Sequence, residues 1–307
     1  MAKLHIKALV PLSSWQDEGR PAYRHLGIPE GGFLDFRQRD LARLLLGETL
    51  LSLELGQGRS AFLCDEPLVL LLTGAHLHAR AGEQELSLNR MFKLPAGETL
   101  YLDNAGRLAG LHIAAKPAFS PVLGSYSQHS HVDFGIPALK KGIQIELSPL
   151  SVAFLRAGIG LEKICPSYEK IRLIPGPDID LFEVKTKQAL VEMAFSVSNN
   201  SSRMGYRLMQ QLPFSAAIPG ITSASVCKGV IQVSNDGTPM VLMNDCQSTG
   251  GYPRIAYVAA VDLPRVANLL PGEFFHFQWI SPEENLSLWA KYQSNLRKIK
   301  YALPFGF

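Results

Sequence analysis

The chain has 307 residues, 47% hydrophobic and 19% charged, with 26 glycines and 20 prolines; this composition fits a turn-rich globular protein of one or two domains and excludes a disordered or coiled-coil chain. Its 30 basic and 27 acidic residues give a formal charge of +3 without a long block of one sign, so nucleic acid is not an expected partner. No apolar run follows the positive residues at Met1 to Lys7, and no stretch of about 18 uncharged apolar residues occurs, which predicts a cytoplasmic protein without membrane association.

Short β-prone runs recur between turn signals. In chain order they cover 50–55, 68–73, 100–103, 111–114, 171–174, 230–233, 240–243, 255–261 and 274–279, a spacing that predicts barrels or sandwiches and hence a mainly β fold. Ala96-Gly97, Asn104-Ala105-Gly106 and Pro271-Gly272 supply turns, and Asn235-Asp236-Gly237 predicts a hairpin. Three helices are expected. Asp35 caps one that buries Leu41, Leu44 and Leu45 and stops at Gly47. A second starts at Asp262, tolerates Pro264 in its first turn and ends near Leu270. The third runs from Glu283 to Lys298, with Leu286, Trp289 and Leu296 on one face and basic residues at its C-terminal end. Patterning weakens between Phe134 and Ser167, which sets the expected domains at residues 1–140 and 141–307.

The four cysteines, Cys64, Cys165, Cys227 and Cys246, lack C-x-x-C spacing, so reduced thiols are expected rather than a zinc or dithiol motif. His129, His131 and Asp133 are more simply a polar linker than a metal site, and no metal is expected. Phosphate-binding, serine-hydrolase, zincin and dinucleotide signatures are all missing.

Three polar, glycine-containing segments stand out as candidate ligand loops. The sharpest is Gln247-Ser248-Thr249-Gly250-Gly251-Tyr252-Pro253-Arg254. Adjacent glycines allow close backbone approach, Pro253 restricts Tyr252, and Arg254 suits a carboxylate, carbamate or phosphate; an ordinary hairpin with a surface arginine fits the same pattern. Gly31-Gly32 before the Asp35 helix could receive an anion, or only make a tight turn. The third segment runs from Asn199 to Arg207 and carries Arg203, Tyr206 and Arg207. Gln232 and Asp245 interrupt apolar runs, so each needs a buried partner, and Asp245 is the best placed acid or base by position.

These same stretches resemble a known family. Gly229-Val230-Ile231-Gln232-Val233, Pro239-Met240-Val241-Leu242, Gln247 to Ala256 and Ser202-Arg203-Met204-Gly205-Tyr206-Arg207-Leu208, with Trp15-Gln16-Asp17, Gly19-Arg20 and Gly27 to Asp35 earlier on, are similar to the motifs of the bacterial carboxyltransferase-like proteins. That group includes the 5-oxoprolinase C subunit, KipA and the allophanate hydrolase subunit 2-like proteins. The resemblance implies two cyclophilin-like β-barrel domains and a subunit of a hydrolase that acts on a cyclic amide. It also implies a partner homologous to the 5-oxoprolinase B subunit or KipI, with the A subunit as a third component, and ATP spent by the complex to open 5-oxoproline. No bound cofactor is expected, and biotin would enter only through a separate carrier. In such an enzyme Arg203 and Arg254 would hold anionic groups, Gly250 and Gly251 would face an oxyanion, and Asp245 or Tyr252 would relay a proton. Gly31, Gly32, Asp35, Tyr206, Gln232, Gln247 and Thr249 would complete the substrate site. A non-catalytic regulator like KipA and a biotin-dependent carboxyltransferase are the alternatives. The sequence departs from the family pattern at Lys228, Ser234, Cys246 and Ser248, and after Gly124-Ser125.

Overall fold

A computed structural model describes residues 1–47, 51–154, 158–160, 170–214 and 222–303; Leu50 of the first expected strand and Cys165 lie outside them. The chain divides into two compact units. The first comprises Met1–Arg20, Gly31–Pro166 and Asn295–Phe307, and the second Pro21–Glu30 and Ser167–Ser294.

The first unit is built on strands β1 (Ala2–Ala8), β2 (Ser14–Trp15), β3 (Leu51–Leu55), β4 (Gly58–Cys64), β5 (Leu68–Gly74), β6 (Leu77–Ala81), β7 (Gln84–Glu85), β8 (Met91–Leu94), β9 (Thr99–Asn104), β10 (Ala109–Ile113), β11 (Ala115–Pro117) and β12 (Gln144–Pro149). Among the described residues they form one sheet in the order β11-β12-β1-β4-β9-β6-β7 and another in the order β2-β3-β10-β5-β8. Alternating side chains from both meet in one core that includes Leu4, Trp15, Leu53, Phe62, Leu72 and Leu111, which is how period-two patterning seals antiparallel sheets. Strand β1 shows why pattern outweighs propensity. In Ala2-Lys3-Leu4-His5-Ile6-Lys7, Ala2, Leu4 and Ile6 are buried while Lys3, His5 and Lys7 are not.

The helix after Asp35 forms as α1 (Phe36–Leu46), capped by the Asp35 carboxylate on the Arg37 N–H and closed by Gly47 at a positive φ of 90°. Beneath it runs a directional chain of buried hydrogen bonds. The Thr73 hydroxyl donates to Gln38 Oε1 at 2.7 Å and lies 3.0 Å from His112 Nε2, while Ser52 Oγ lies 2.8 Å from His112 Nδ1. A hydroxyl has one proton, so Thr73 must accept from His112 Nε2–H, and Nδ1 must accept from Ser52. Gln38 Nε2 then reaches Asp35 Oδ2 at 3.4 Å. Gly110 is required here, because a Cβ on it would stand 2.4 Å from Thr73 Oγ1 and 2.5 Å from His112 Nε2.

That chain leaves no place for a second imidazole proton, and burial pushes the His112 ring from 6.5 down to about 3. As pH falls below 6.5, unfolded His112 takes a proton that folded His112 refuses. Stability is therefore unaffected above that value and is lost between 6.5 and about 3, at about 1.4 kcal/mol per pH unit. Urea unfolding at stepped pH is expected to show this slope in the wild type and to lose it in His112→Gln; identical slopes in the two proteins would contradict a neutral buried imidazole.

The second unit carries β13 (Lys170–Pro175), β14 (Phe195–Ser196), β15 (Gly205–Arg207), β16 (Ala224–Ser225), β17 (Val230–Val233), β18 (Pro239–Leu242), β19 (Thr249–Gly250), β20 (Arg254–Val258) and β21 (Phe274–Trp279). Its main sheet has the order β14-β21-β13-β20-β17-β18-β15, with β16 and β19 forming a separate ribbon. Only the β13–β21 pairing among these is parallel. The Asn235-Asp236-Gly237 hairpin forms between β17 and β18, with Gly237 at φ 81°. The run expected as a strand through Val261 stops at Val258, because a 3-10 turn over Ala260–Asp262 leads into helix α3 (Leu263–Asn268). Helix α2 (Val184–Glu192) is an addition to the three expected, and the last helix, α4, covers Pro282–Ala302. The whole is mainly β: curled sheets with a few helices. No helix of the described residues is long and apolar enough to cross a membrane.

Candidate functional site

Register places the best candidate residues on one face of the second unit's sheet. Arg254 pairs with Gln232, Gln232 with Met240, and Met240 with Arg207, giving one cross-strand row. Gln232 is 1% exposed, so its amide must be satisfied locally, and Nε2 donates to the Tyr252 carbonyl at 3.0 Å. Its amide also fills the space over Gly250, where an added Cβ would stand 2.8 Å from Gln232 Nε2. The β16–β19 ribbon pairs Ala224 with Gly250 and Ser225 with Thr249. Gln232, Thr249, Gly250, Tyr252 and Arg254 are thereby brought together, with Tyr252 41% exposed.

Arg254 is held by a residue that sequence reading missed. Its Nε and Nη2 donate to Asp178 Oδ2 and Oδ1 at 2.7 and 3.0 Å, its backbone N–H donates to Oδ2 at 3.0 Å, and Nη1 donates to the Ser225 carbonyl at 3.0 Å. Hydrogen bonds from Arg254 hold the Asp178 carboxyl below its usual range, against an opposing effect of burial. The guanidinium plane is thus fixed before any ligand arrives. The available signal was Gly176-Pro177-Asp178 at the end of a β run: a breaker pair followed by a carboxylate. Gly176 lies against β20 so closely that a Cβ would meet the Arg254 carbonyl at 2.2 Å.

Arg203 and Asp245 form a second pair. Arg203 Nε and Nη2 donate to Oδ2 and Oδ1 of Asp245 at 3.1 and 3.2 Å, and the Asp245 N–H returns to the Arg203 carbonyl at 2.9 Å. Asp245 is fully buried, so its carboxylate is committed to this guanidinium. Sheet order sets β20 and β15 three strand spacings apart, about 14 Å along the sheet, and each arginine has its own aspartate. Tyr206 faces the core with Val241, its hydroxyl donating to the Ala267 carbonyl at 3.0 Å. Gln247 is exposed, and its carbonyl accepts from Arg24 Nη2 at 3.2 Å.

Gly31, Gly32 and Asp35 belong to the first unit. Both glycines have positive φ, 70° and 90°, and the Gly32 N–H donates to Gln16 Oε1 at 3.0 Å. The Phe33 N–H goes to the Asp17 carbonyl and the Leu34 N–H to Glu54 Oε2. Asp35 caps α1 and also binds Arg37 through Nε and Nη2 at 2.9 and 2.8 Å. The neighbouring Trp15-Gln16-Asp17 and Gly19-Arg20 stretch organises a loop. Asp17 accepts from the Ser125 and Ser127 hydroxyls and the Tyr126 N–H, each at 2.6 Å, and Arg20 Nη2 donates to the Ser127 carbonyl at 2.7 Å. The His129 ring is used in the same way, its Nδ1 accepting the N–H groups of His131 and Val132.

Comparison with known proteins extends this picture. The family model "Carboxyltransferase domain, subdomain A and B" matches residues 26–279. The chain is 31% identical to the 5-oxoprolinase C subunit of Escherichia coli (strain K12), covering 94% of both sequences. It is 27% identical to the 5-oxoprolinase C subunit of Haemophilus influenzae, covering 93% of this chain and 94% of that one. Among solved structures, the Kluyveromyces lactis urea carboxylase superposes with a TM-score of 0.85 at 22% identity, covering 97% of this chain and 29% of that one, a likeness of fold.

Proposed function

The chain belongs to the family of carboxyltransferase domains, subdomains A and B, and from that premise we propose that it is the C-type subunit of an ATP-dependent complex that opens 5-oxoproline to glutamate. The observation that carries this reading is the match to two 5-oxoprolinase C subunits along nearly their whole length, together with a pre-oriented arginine among the loop residues that the family motif contains.

The substrate is a cyclic amide bearing a carboxylate, and the cluster offers chemistry for both parts. Arg254, fixed by Asp178, is placed to receive the carboxylate by its remaining donor capacity or by exchange with Asp178. The Thr249-Gly250-Gly251 backbone is the close-approach surface for the amide, as itself or in an activated form, where N–H donors would stabilise charge developing on oxygen. Tyr252, an exposed residue of the cluster, is the group available to move a proton. Asp245 is held by Arg203, so in this scheme the pair braces the turn entering the loop. An unstrained lactam resists hydrolysis at neutral pH, and the partner subunits supply ATP-driven activation.

The test is reconstitution with the B-type and A-type partners. Full complex, ATP and 5-oxoproline are expected to give glutamate and ADP, and omission of this chain is expected to abolish glutamate. A stoichiometric assembly with the B-type partner that never turns over would replace this reading with that of a regulatory protein.

A further inference from the structure

A pair of thiols lies at the root of the loop that ends in Arg254, and neither is used in the scheme above. Arg24 sits in the 3-10 turn Pro21–Leu26, a segment of the second unit. Its Nη2 donates to the Val226 carbonyl and, at 3.2 Å, to the Gln247 carbonyl. One nitrogen therefore joins the residue before Cys227 to the residue after Cys246.

The ribbon leads to the same place. Ala224 pairs with Gly250 and Ser225 with Thr249, and the Val226 N–H continues the ladder to the Ser248 carbonyl at 3.0 Å. The ladder ends there, and each cysteine sits in a turn: the Val230 N–H donates to the Cys227 carbonyl at 3.2 Å and the Cys246 N–H to the Met243 carbonyl at 3.0 Å. Both cysteines are free, and both pack in one small apolar cluster with Val226, Val230, Leu242, Met240 and Tyr257. The Gly229 N–H donates to the Leu242 carbonyl at 2.7 Å, which ties the two turns together and brings both cysteines into that cluster; a disulfide needs their Cα atoms roughly 4.4–6.8 Å apart.

We propose that Cys227 and Cys246 form a reversible redox pair, oxidised by a peroxide to a disulfide that fastens the Gln247–Arg254 loop to the β16 ribbon. Cys227 is the more exposed of the two, so it meets the oxidant. Its thiolate attacks a peroxide oxygen; the S–O bond forms, the O–O bond breaks, and the departing hydroxide takes up a proton to become water. Cys246 then attacks the sulfenic sulfur of Cys227. The S–S bond forms, the S–O bond breaks, and a second water leaves, so two thiols are oxidised as one peroxide is reduced to two waters. Burial pushes the Cys246 thiol up to about 11 while the adjacent Arg24 guanidinium favours its thiolate, and burial raises Cys227 as well. The pair is consequently slow at neutral pH and quickens as pH rises. Oxidation of the pair does not depend on the reaction the complex performs.

The experiment uses the full chain with hydrogen peroxide at pH 7 to 9, followed by non-reducing peptide mapping. A linked Cys227–Cys246 peptide is expected, reversible by dithiothreitol, forming about tenfold faster per pH unit. It is expected to persist in Cys64→Ser and Cys165→Ser, to vanish in Cys227→Ser and in Cys246→Ser, and to form several-fold more slowly in Arg24→Ala. Circular dichroism confirms that each variant is folded. Two thiols that remain alkylatable in folded wild type, a sulfinic acid at Cys227 without linkage, or linkage to Cys165 instead would each overturn the proposal.

Discussion

Replacing Asp262 with alanine is expected to cost about 3–5 kcal/mol of folding stability, because it removes one member of a buried ion pair and leaves the other charge in place. Asp262 Oδ2 accepts from the backbone N–H and the Nε of Arg172, both at 2.8 Å, while Oδ1 accepts from Nη2 at 2.6 Å. The side chains are 7% and 5% exposed, so water cannot replace the lost carboxylate without opening the structure. Asp262 also terminates the 3-10 turn that feeds α3, and its loss loosens the join between that helix and β13. Urea unfolding of the single variant should show the full loss. The double variant Arg172→Met with Asp262→Leu should recover part of it, since an apolar pair of similar volume leaves no buried charge, although the Arg172 backbone N–H still loses its acceptor. A single variant within about 1 kcal/mol of wild type would mean that the pair is worth no more than a surface salt bridge.

Much of the second unit could be read from its residues. Val230–Val233 and Phe274–Trp279 form strands at the expected bounds, because dense β-branched and aromatic runs between Gly and Pro leave the chain few alternatives. The same holds for Asp35 and Gly47 around α1, where short-range capping decides the outcome. The first unit was harder. Strands β1, β4, β6, β8 and β12 mix Lys, Arg, His and Glu with apolar residues; a period of two is the signal in β1, β6 and β12, diluted in short segments, and β4 and β8 lack even that. Helix α2 has a modest apolar face and buries only Thr186 and Leu190 in full, so tertiary contacts rather than propensity secure it.

The candidate site was legible as a set of residue types but not as a set of partnerships. Gln232, Gly250, Tyr252 and Arg254 gather through strand register and the buried Gln232 amide. The aspartates that orient the arginines could not be paired from sequence. Asp178 lies 76 positions from Arg254, and Asp245 lies 42 from Arg203, separations over which local patterning carries no information. Tyr206 neighbours the loop in sequence, whereas strand alternation turns it into the core beside Val241.

Arg254→Ala is expected to lower kcat/KM for 5-oxoproline in the reconstituted complex by about a hundredfold or more, the scale of a lost charge-assisted bidentate contact. Arg254→Lys should recover little of this, since an ammonium cannot span both Asp178 oxygens and still reach the Ser225 carbonyl and a ligand. Asp178→Asn tests the positioning role separately. It keeps the side-chain shape and one acceptor but loses the charge, so the guanidinium stays charged while its orientation loosens; about a tenfold loss is expected, chiefly in KM if the carboxylate is held equally in ground and transition states. Because both changes act through one guanidinium, the double variant should be scarcely worse than Arg254→Ala alone, and additive losses would place Asp178 on a separate task. Acid supplies a parallel handle. The Asp178 carboxyl titrates below its ordinary value of 3.8, so the clamp is intact above that value and is lost only as pH falls through the lowered one; wild type and Asp178→Asn should diverge above pH 4 and converge below the lowered value. Folded Arg254→Ala with unchanged KM and kcat would show that the substrate binds away from this cluster, even if the complex proves to be an oxoprolinase.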